Sequence, residues 1–262
     1  LNELNSNGNY TSLSGFTSES MSSSLFSSTT EDDLAATCSE YTEDDTTVVE
    51  YGFYSDLTPA VSIEISDVDI EAGTLNFYMT NIPACYYCEN PVFNNHTINW
   101  VEQKEDCEDN GWNWIVDTEM SEAECAVLPS VHENIPGGWW FDGNVKGFQF
   151  YINGITITDV SGGSSETYLD YVNSANADCD ADGVGDEGCT LILGSSFGDS
   201  YIPANDQSEL LLSATFTDFD GFAVCFDGVG MPKEGNWSPP VIVDASGDEV
   251  TADWGNCYCS ED

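Results

Sequence analysis

From Val49 onward, apolar residues fall at alternate positions, the period of strands that present one face to a core. Val49, Tyr51 and Phe53 begin the series. Ile63 and Ile65 continue it, and Val68 and Ile70 resume it after a one-residue phase slip that predicts a bulge. Leu75, Phe77 and Met79 follow, then Phe148, Phe150 and Ile152, and then Ile155 and Ile157. The short run Leu191 to Leu193 precedes Leu210, Leu212, Ala214 and Phe216, and Phe222, Val224 and Phe226 come next. Val241 and Val243 close the series. Gly, Asn, Asp and Ser turns separate many of these runs, and no helical stripe is evident. The least regular stretch is 116–127, where acidic residues frame Met120 and Ala123. The pattern predicts an all-β chain, an antiparallel β-sandwich or jelly roll over 46–262.

Two segments depart from this rhythm. Residues 1–45 are rich in Ser, Thr, Asn, Glu and Asp, with scattered Leu13, Phe16, Met21, Leu25 and Phe26. Such an extension has little means of burying itself. It is expected to pack on its own body, on a neighbouring subunit or on attached glycan. Residues 83–144 hold four cysteines, both histidines and five of the seven tryptophans. They read as a disulfide-stapled insertion between two strands, because a small insert without its own core needs such staples.

Charge narrows the partners. There are 48 Asp and Glu against three lysines, Lys104, Lys146 and Lys233, for a net charge of −45. Nucleic acid and anionic membrane both require a basic face, so neither is an expected partner. No apolar run approaches the ~18 residues needed to span a bilayer. With 13 Phe, 12 Tyr and 7 Trp the chain has core material, so the charge describes a solvated shell and not disorder.

The ten cysteines are Cys38, Cys85, Cys88, Cys107, Cys125, Cys179, Cys189, Cys225, Cys257 and Cys259. An even count in so acidic a chain favours disulfides and an oxidising compartment. Three sequons, at Asn9, Asn95 and Asn236, fit N-linked glycans, and the Ser/Thr-rich extension fits O-linked ones. The expected location is extracellular, and a removed signal peptide would account for a start at Leu1.

Several motifs suggest chemistry. Asp178, Asp180, Asp182 and Asp186 alternate with small residues and Gly183, as at the start of a calcium loop, and Cys179 with Cys189 would clip it. The bland reading is an acidic turn. Cys85 and Cys88 form a C-x-x-C with Cys107 and Cys125 downstream. Four thiolates would suit zinc, and a redox pair would need a βαβ context that is missing. Two disulfides within the insertion are the expectation. Gly194-Ser195-Ser196-Phe197-Gly198 matches a nucleophile elbow, but both histidines precede it and no strand–turn–helix is evident, so no enzyme is expected. Trp112, Trp114, Trp139 and Trp140 read as a stacking platform for sugars, as the insertion's own core, or as an interface.

Four segments taken together are "VSIEISDVDIEAGTLNFYMTN" at 61–81, "VKGFQFYINGITITDVSGGSSE" at 145–166, "TLILGSSFGDSYIPANDQSELLLSATFTDFDGFAVCFDG" at 190–228 and "VIVDASGDEVTADWGNCYC" at 241–259. The series resembles a cohesin-like β-sandwich module of secreted microbial proteins. The resemblance implies a scaffold or adhesion unit, and its closing cysteine pair implies Cys225 with Cys257, which leaves Cys38 with Cys259. More weakly, the extension ahead of a sandwich resembles subunits of extracellular fibrils assembled by an N-terminal donor strand. That resemblance implies a homopolymer in which Leu13, Phe16, Leu25 and Phe26 make the assembly contacts, with calcium as a bridging ion. Glycan binding through the tryptophans is the alternative function.

Overall fold

A computed structural model describes residues 2–4, 10–12, 59–94, 100–131, 136–177, 188–219, 223–227 and 240–260. It is built mainly of strands in several sheets. Near the N-terminus, β1 (Asn2–Leu4) and β2 (Tyr10–Ser12) pair antiparallel.

A five-stranded sheet runs in the order β16 (Ala252–Trp254), β3 (Val61–Asp69), β4 (Thr74–Asn81), β12 (Asn205–Thr217) and β9 (Thr156–Ser161). The phase slip after Ile65 is a register shift between Ser66 and Asp69, with Asp67 at φ 50°. Its carboxylate accepts hydrogen bonds from the Asn76 amide and the Tyr78 hydroxyl, which hold it ionised and its pKa below the ordinary range. A second shift lies between Leu210 and Leu212. There Leu211 is the extra residue, and it is buried together with Leu212. The simple alternation through Leu210 therefore breaks, and Leu210 is left half-buried.

A seven-stranded sheet has β8 (Val145–Asn153) at its centre. On one side lie β11 (Cys189–Ser195) and β10 (Tyr171–Asn176). On the other, β14 (Val241–Asp244) pairs with the first half of β8 and β13 (Ala223–Asp227) with the second. Beyond them are β15 (Glu249–Val250) and β17 (Tyr258–Cys259). Pairing is antiparallel except between β16 and β3, which run parallel. The expectation of a wholly antiparallel arrangement is corrected there: Ala252 to Trp254 return to the five-stranded sheet in the same direction as β3.

One hydrophobic core joins the two sheets. Phe77 of β4 lies 5.1 Å, ring to ring, from Phe150 of β8 and 6.0 Å from Phe226 of β13. Trp254 of β16 closes the cluster, 5.9 Å from Phe150. Ile63, Leu75, Phe148, Ile152, Ile192, Leu212 and Ile242 fill the space around these rings.

Residues 84–141 form a third sheet, β6 (Trp114–Asp117), β5 (Ala84–Cys88) and β7 (Trp139–Phe141), with β5 in the middle. Two helices flank it, α1 (Trp100–Asp109) and α2 (Glu122–Cys125). The sequence pattern predicts neither. In α1 the described buried positions are Gln103 and Cys107, four apart, so the described part of its inward line is an amide and a half-cystine. Ser121 starts α2 with a reciprocal capping box to Glu124. A third helix, α3 (Gly163–Tyr168), packs against β12 and joins β9 to β10.

Candidate interaction surface

The outer face of the seven-stranded sheet carries a groove of about 250 Å³. Register builds it. Ser195, Gly147 and Val243 stand side by side across β11, β8 and β14, and Leu193, Gln149 and Val241 form the next row. Gly147 has no side chain, so the floor sinks between its neighbours. A Cβ there would stand 2.9 Å from the Gly194 carbonyl oxygen, which keeps the position glycine.

The groove exists because two strands are apolar on both faces. In β11, Ile192 enters the core while Leu191 and Leu193 point the other way. In β14, Ile242 enters the core and Val241 and Val243 do not. The sequence pattern assigned Val241 and Val243 to the core; the structure places the residue between them there. Apolar side chains on both faces of a strand are the mark of a sheet covered on both sides.

Lys146 closes one end of the groove. Between the pairs Val243–Gly147 and Asp244–Val145, β8 advances two residues and β14 one, so Lys146 is the extra residue of a bulge, a device that re-aims a side chain. No described carboxylate pairs with it, although the chain holds 48. No sequence pattern brings Lys146, Gly147, Gln149, Leu193 and Ser195 together; Leu193 reads as part of an apolar run and Ser195 as part of a rejected nucleophile elbow. The signal was present in the two-sided runs Leu-Ile-Leu and Val-Ile-Val and in the rarity of the cation.

Past Ser195 the chain forms a loop with its own lock. The Asp170 carboxylate accepts hydrogen bonds from the Phe197 N–H (2.9 Å), the Ser196 hydroxyl (3.1 Å) and the Gly198 N–H (3.3 Å). These bonds, the Phe197 N–H foremost, lower its pKa. Ser196 is thus buried and engaged in loop structure. The loop presents Phe197, 80% exposed, beside Tyr171 at a ring distance of 6.3 Å, with Tyr168 and Tyr201 also exposed. Since the folded pKa of Asp170 lies below its unfolded value, its contribution is present above pH ~4 and is lost as pH falls through the folded value. At pH 6, Asp170→Ala is expected to speed amide exchange at Phe197 and Gly198 at least tenfold. Unchanged exchange by NMR would remove the lock.

The tryptophans are divided by the pleat. Trp139 stands opposite Tyr86, and Trp114 opposite Cys88, on the face of β5 that turns to the main core. Trp140 stands opposite Cys85 on the other face. Trp112 precedes β6 and is 42% exposed. The four do not share one surface. Burial raises the pKa of the Tyr86 hydroxyl well above its ordinary range. A narrow crevice separates Trp139 and Trp140 from Asp244, Asp248 and Glu249. Burial raises the Asp244 pKa, against backbone N–H bonds from Asp248 and Ser246 that favour its charge.

Disulfides join Cys85 to Cys125, Cys88 to Cys107 and Cys225 to Cys257, and Cys189 and Cys259 are also disulfide-bonded. Gly138 makes room for the first: a Cβ there would lie 2.5 Å from both sulfur atoms. Asn9, Asn95 and Asn236, Asp178, Asp180, Asp182 and Asp186, Leu13, Phe16, Leu25 and Phe26, and Cys38 and Cys179 lie outside the described residues. Among the described residues no cluster of three or more His, Cys, Asp or Glu is placed to hold a metal, and no helix is long and apolar enough to cross a membrane. No family model, curated protein or solved structure matches the chain.

Proposed function

We propose that the chain is a secreted, glycosylated structural protein that self-assembles into an extracellular fibre or surface layer. In this reading the body is a jelly-roll-like β-sandwich of the cohesin-like kind, and residues 1–45 are the connector to the next copy. The observation that carries it is the apolar stripe of Leu193, Val241 and Val243 on the outside of a sheet, in a protein of net charge −45. An acidic shell disperses copies by mutual repulsion, so a contiguous neutral patch is where close association costs least. Disulfides supply durability, and calcium held by Asp178, Asp180, Asp182 and Asp186 would relieve repulsion between neighbours. The chain has no catalytic role in this reading.

Electron microscopy of the native secreted material, beside a variant lacking residues 1–45, tests it. Regular polymers from the full chain alone are the expected result, with the truncated body still showing a cooperative unfolding transition. Dispersed single particles from both would end the fibre reading and turn attention to glycan binding.

A further inference from the structure

We propose that the groove over Gly147 is the seat of the connector: it receives residues 13–26 of a second copy, with Glu19 of that segment against Lys146. The inference rests on the assembly reading and names the contact within it. The contact is a sheet face, where side chains pack, and not a sheet edge. Two edge strands of the main sheets already have a neighbour. β9 and β10 run close together with α3 joining them, and β16 leads directly into β17. The outer face instead offers Leu193, Val241 and Val243 around a floor that sinks at Gly147.

Three observations select the occupant. Between Leu13 and Thr30 the chain carries a single charge, Glu19, in a protein where 19% of residues are charged. A near-neutral segment approaches a surface of net charge −45 without the repulsion that the rest of the chain would meet. Its apolar residues Leu13, Phe16, Leu25 and Phe26 are side chains of a size that the groove, at about 250 Å³, takes about two at a time. Even with Cys38 tied to the body, residues 13–37 reach on the order of 80 Å when extended, more than the width of the body, so a second copy is within range. Lys146 then gains the one carboxylate the segment brings. The interface is heterologous, groove to connector, and a long tether leaves the rotation between copies unclosed, the condition for an open polymer.

The test uses full-length chains and reads the critical concentration for assembly by light scattering. Lys146→Glu and Glu19→Lys are each expected to raise it about fivefold, and the two together to return it to within about twofold of the original. Leu193→Glu with Val243→Glu is expected to abolish polymers while the melting temperature stays near that of the parent. The same loss is expected for Phe16→Ser with Leu25→Ser. Mixing these two double variants should give pairs and nothing longer in the ultracentrifuge, because one sound groove meets one sound connector. Polymers from the groove variant, or a charge swap without rescue, would overturn the groove while leaving the connector reading intact if removal of residues 1–45 still stops assembly. A mixture that stays monomeric would overturn it in another way, placing the segment in its own groove or in none. A wild-type chain that never polymerises would instead sink the assembly reading itself.

Discussion

Phe150→Ala is expected to cost about 3–5 kcal/mol and to lower the urea midpoint by about 1–2 M. Phe150 is fully buried at the centre of β8, and four aromatic rings surround it: Phe77 at 5.1 Å, Phe226 at 5.5 Å, Phe148 at 5.6 Å and Trp254 at 5.9 Å. Phe77 and Trp254 belong to the five-stranded sheet, so this ring is a main tie between the sheets. Truncation removes the transfer energy of a phenyl group. It also opens a cavity that neighbours anchored in two hydrogen-bonded sheets cannot collapse into. The tilted and edge contacts add a further small attraction that alanine cannot replace. Phe197→Ala is the control. That residue is 80% exposed, and loss of its ring should change stability by no more than about 0.5 kcal/mol. A loss under ~1 kcal/mol at Phe150 would mean that the sheets are held together elsewhere.

Removing the two disulfides of β5 is the second large effect. Cys85 closes a 40-residue separation to Cys125, and Cys88 a 19-residue separation to Cys107. The chain-entropy relation assigns about 3–4 kcal/mol to each. Their loss should be felt locally. Among the described positions of α1 and α2 the buried ones are Gln103 and the half-cystines Cys107 and Cys125, so the bridges are a main tie between these helices and β5. When both pairs are replaced by alanine, amides of residues 104–109 and 122–126 are expected to lose protection from exchange. Amides of β8 and β12 should keep theirs, because the main core does not depend on either bridge. Equal loss in both regions would show that residues 84–141 fold as one unit with the body. The packing of Tyr86, Trp114 and Trp139 on the main core is the feature that would then explain it.

Much of the fold was legible because period two survives in sequence wherever one face of a strand is wet. Ile63, Leu75, Phe77, Phe148, Phe150 and Ile152 all lie in the core that their alternation predicts. The legibility ends where both faces of a strand are apolar. Leu191 to Leu193 and Val241 to Val243 have no phase of their own, so only pairing with β8 decides that Ile192 and Ile242 turn inward. It also ends at bulges. Leu211 breaks the phase of β12, and Lys146 breaks that of β8, where one extra residue changes which side chains face out. The helices were illegible for a different reason: the described inward positions of α1 are a half-cystine and a buried amide, neither of which leaves a hydrophobic period.

By itself, then, the amino-acid order determined a strand-rich chain with a strongly acidic shell, cysteines suited to cross-links, and a distinct aromatic and cysteine-rich stretch near its middle. Those properties are sums or short-range periods, carried by each residue whatever its neighbours in space. Tertiary structure alone decided which cysteines meet, that Trp139 and Trp140 look in opposite directions, and that a lysine, a glycine and two valines come together on the outside of a sheet. Those are facts of register across strands far apart in sequence, and register is set by backbone pairing that no local pattern encodes.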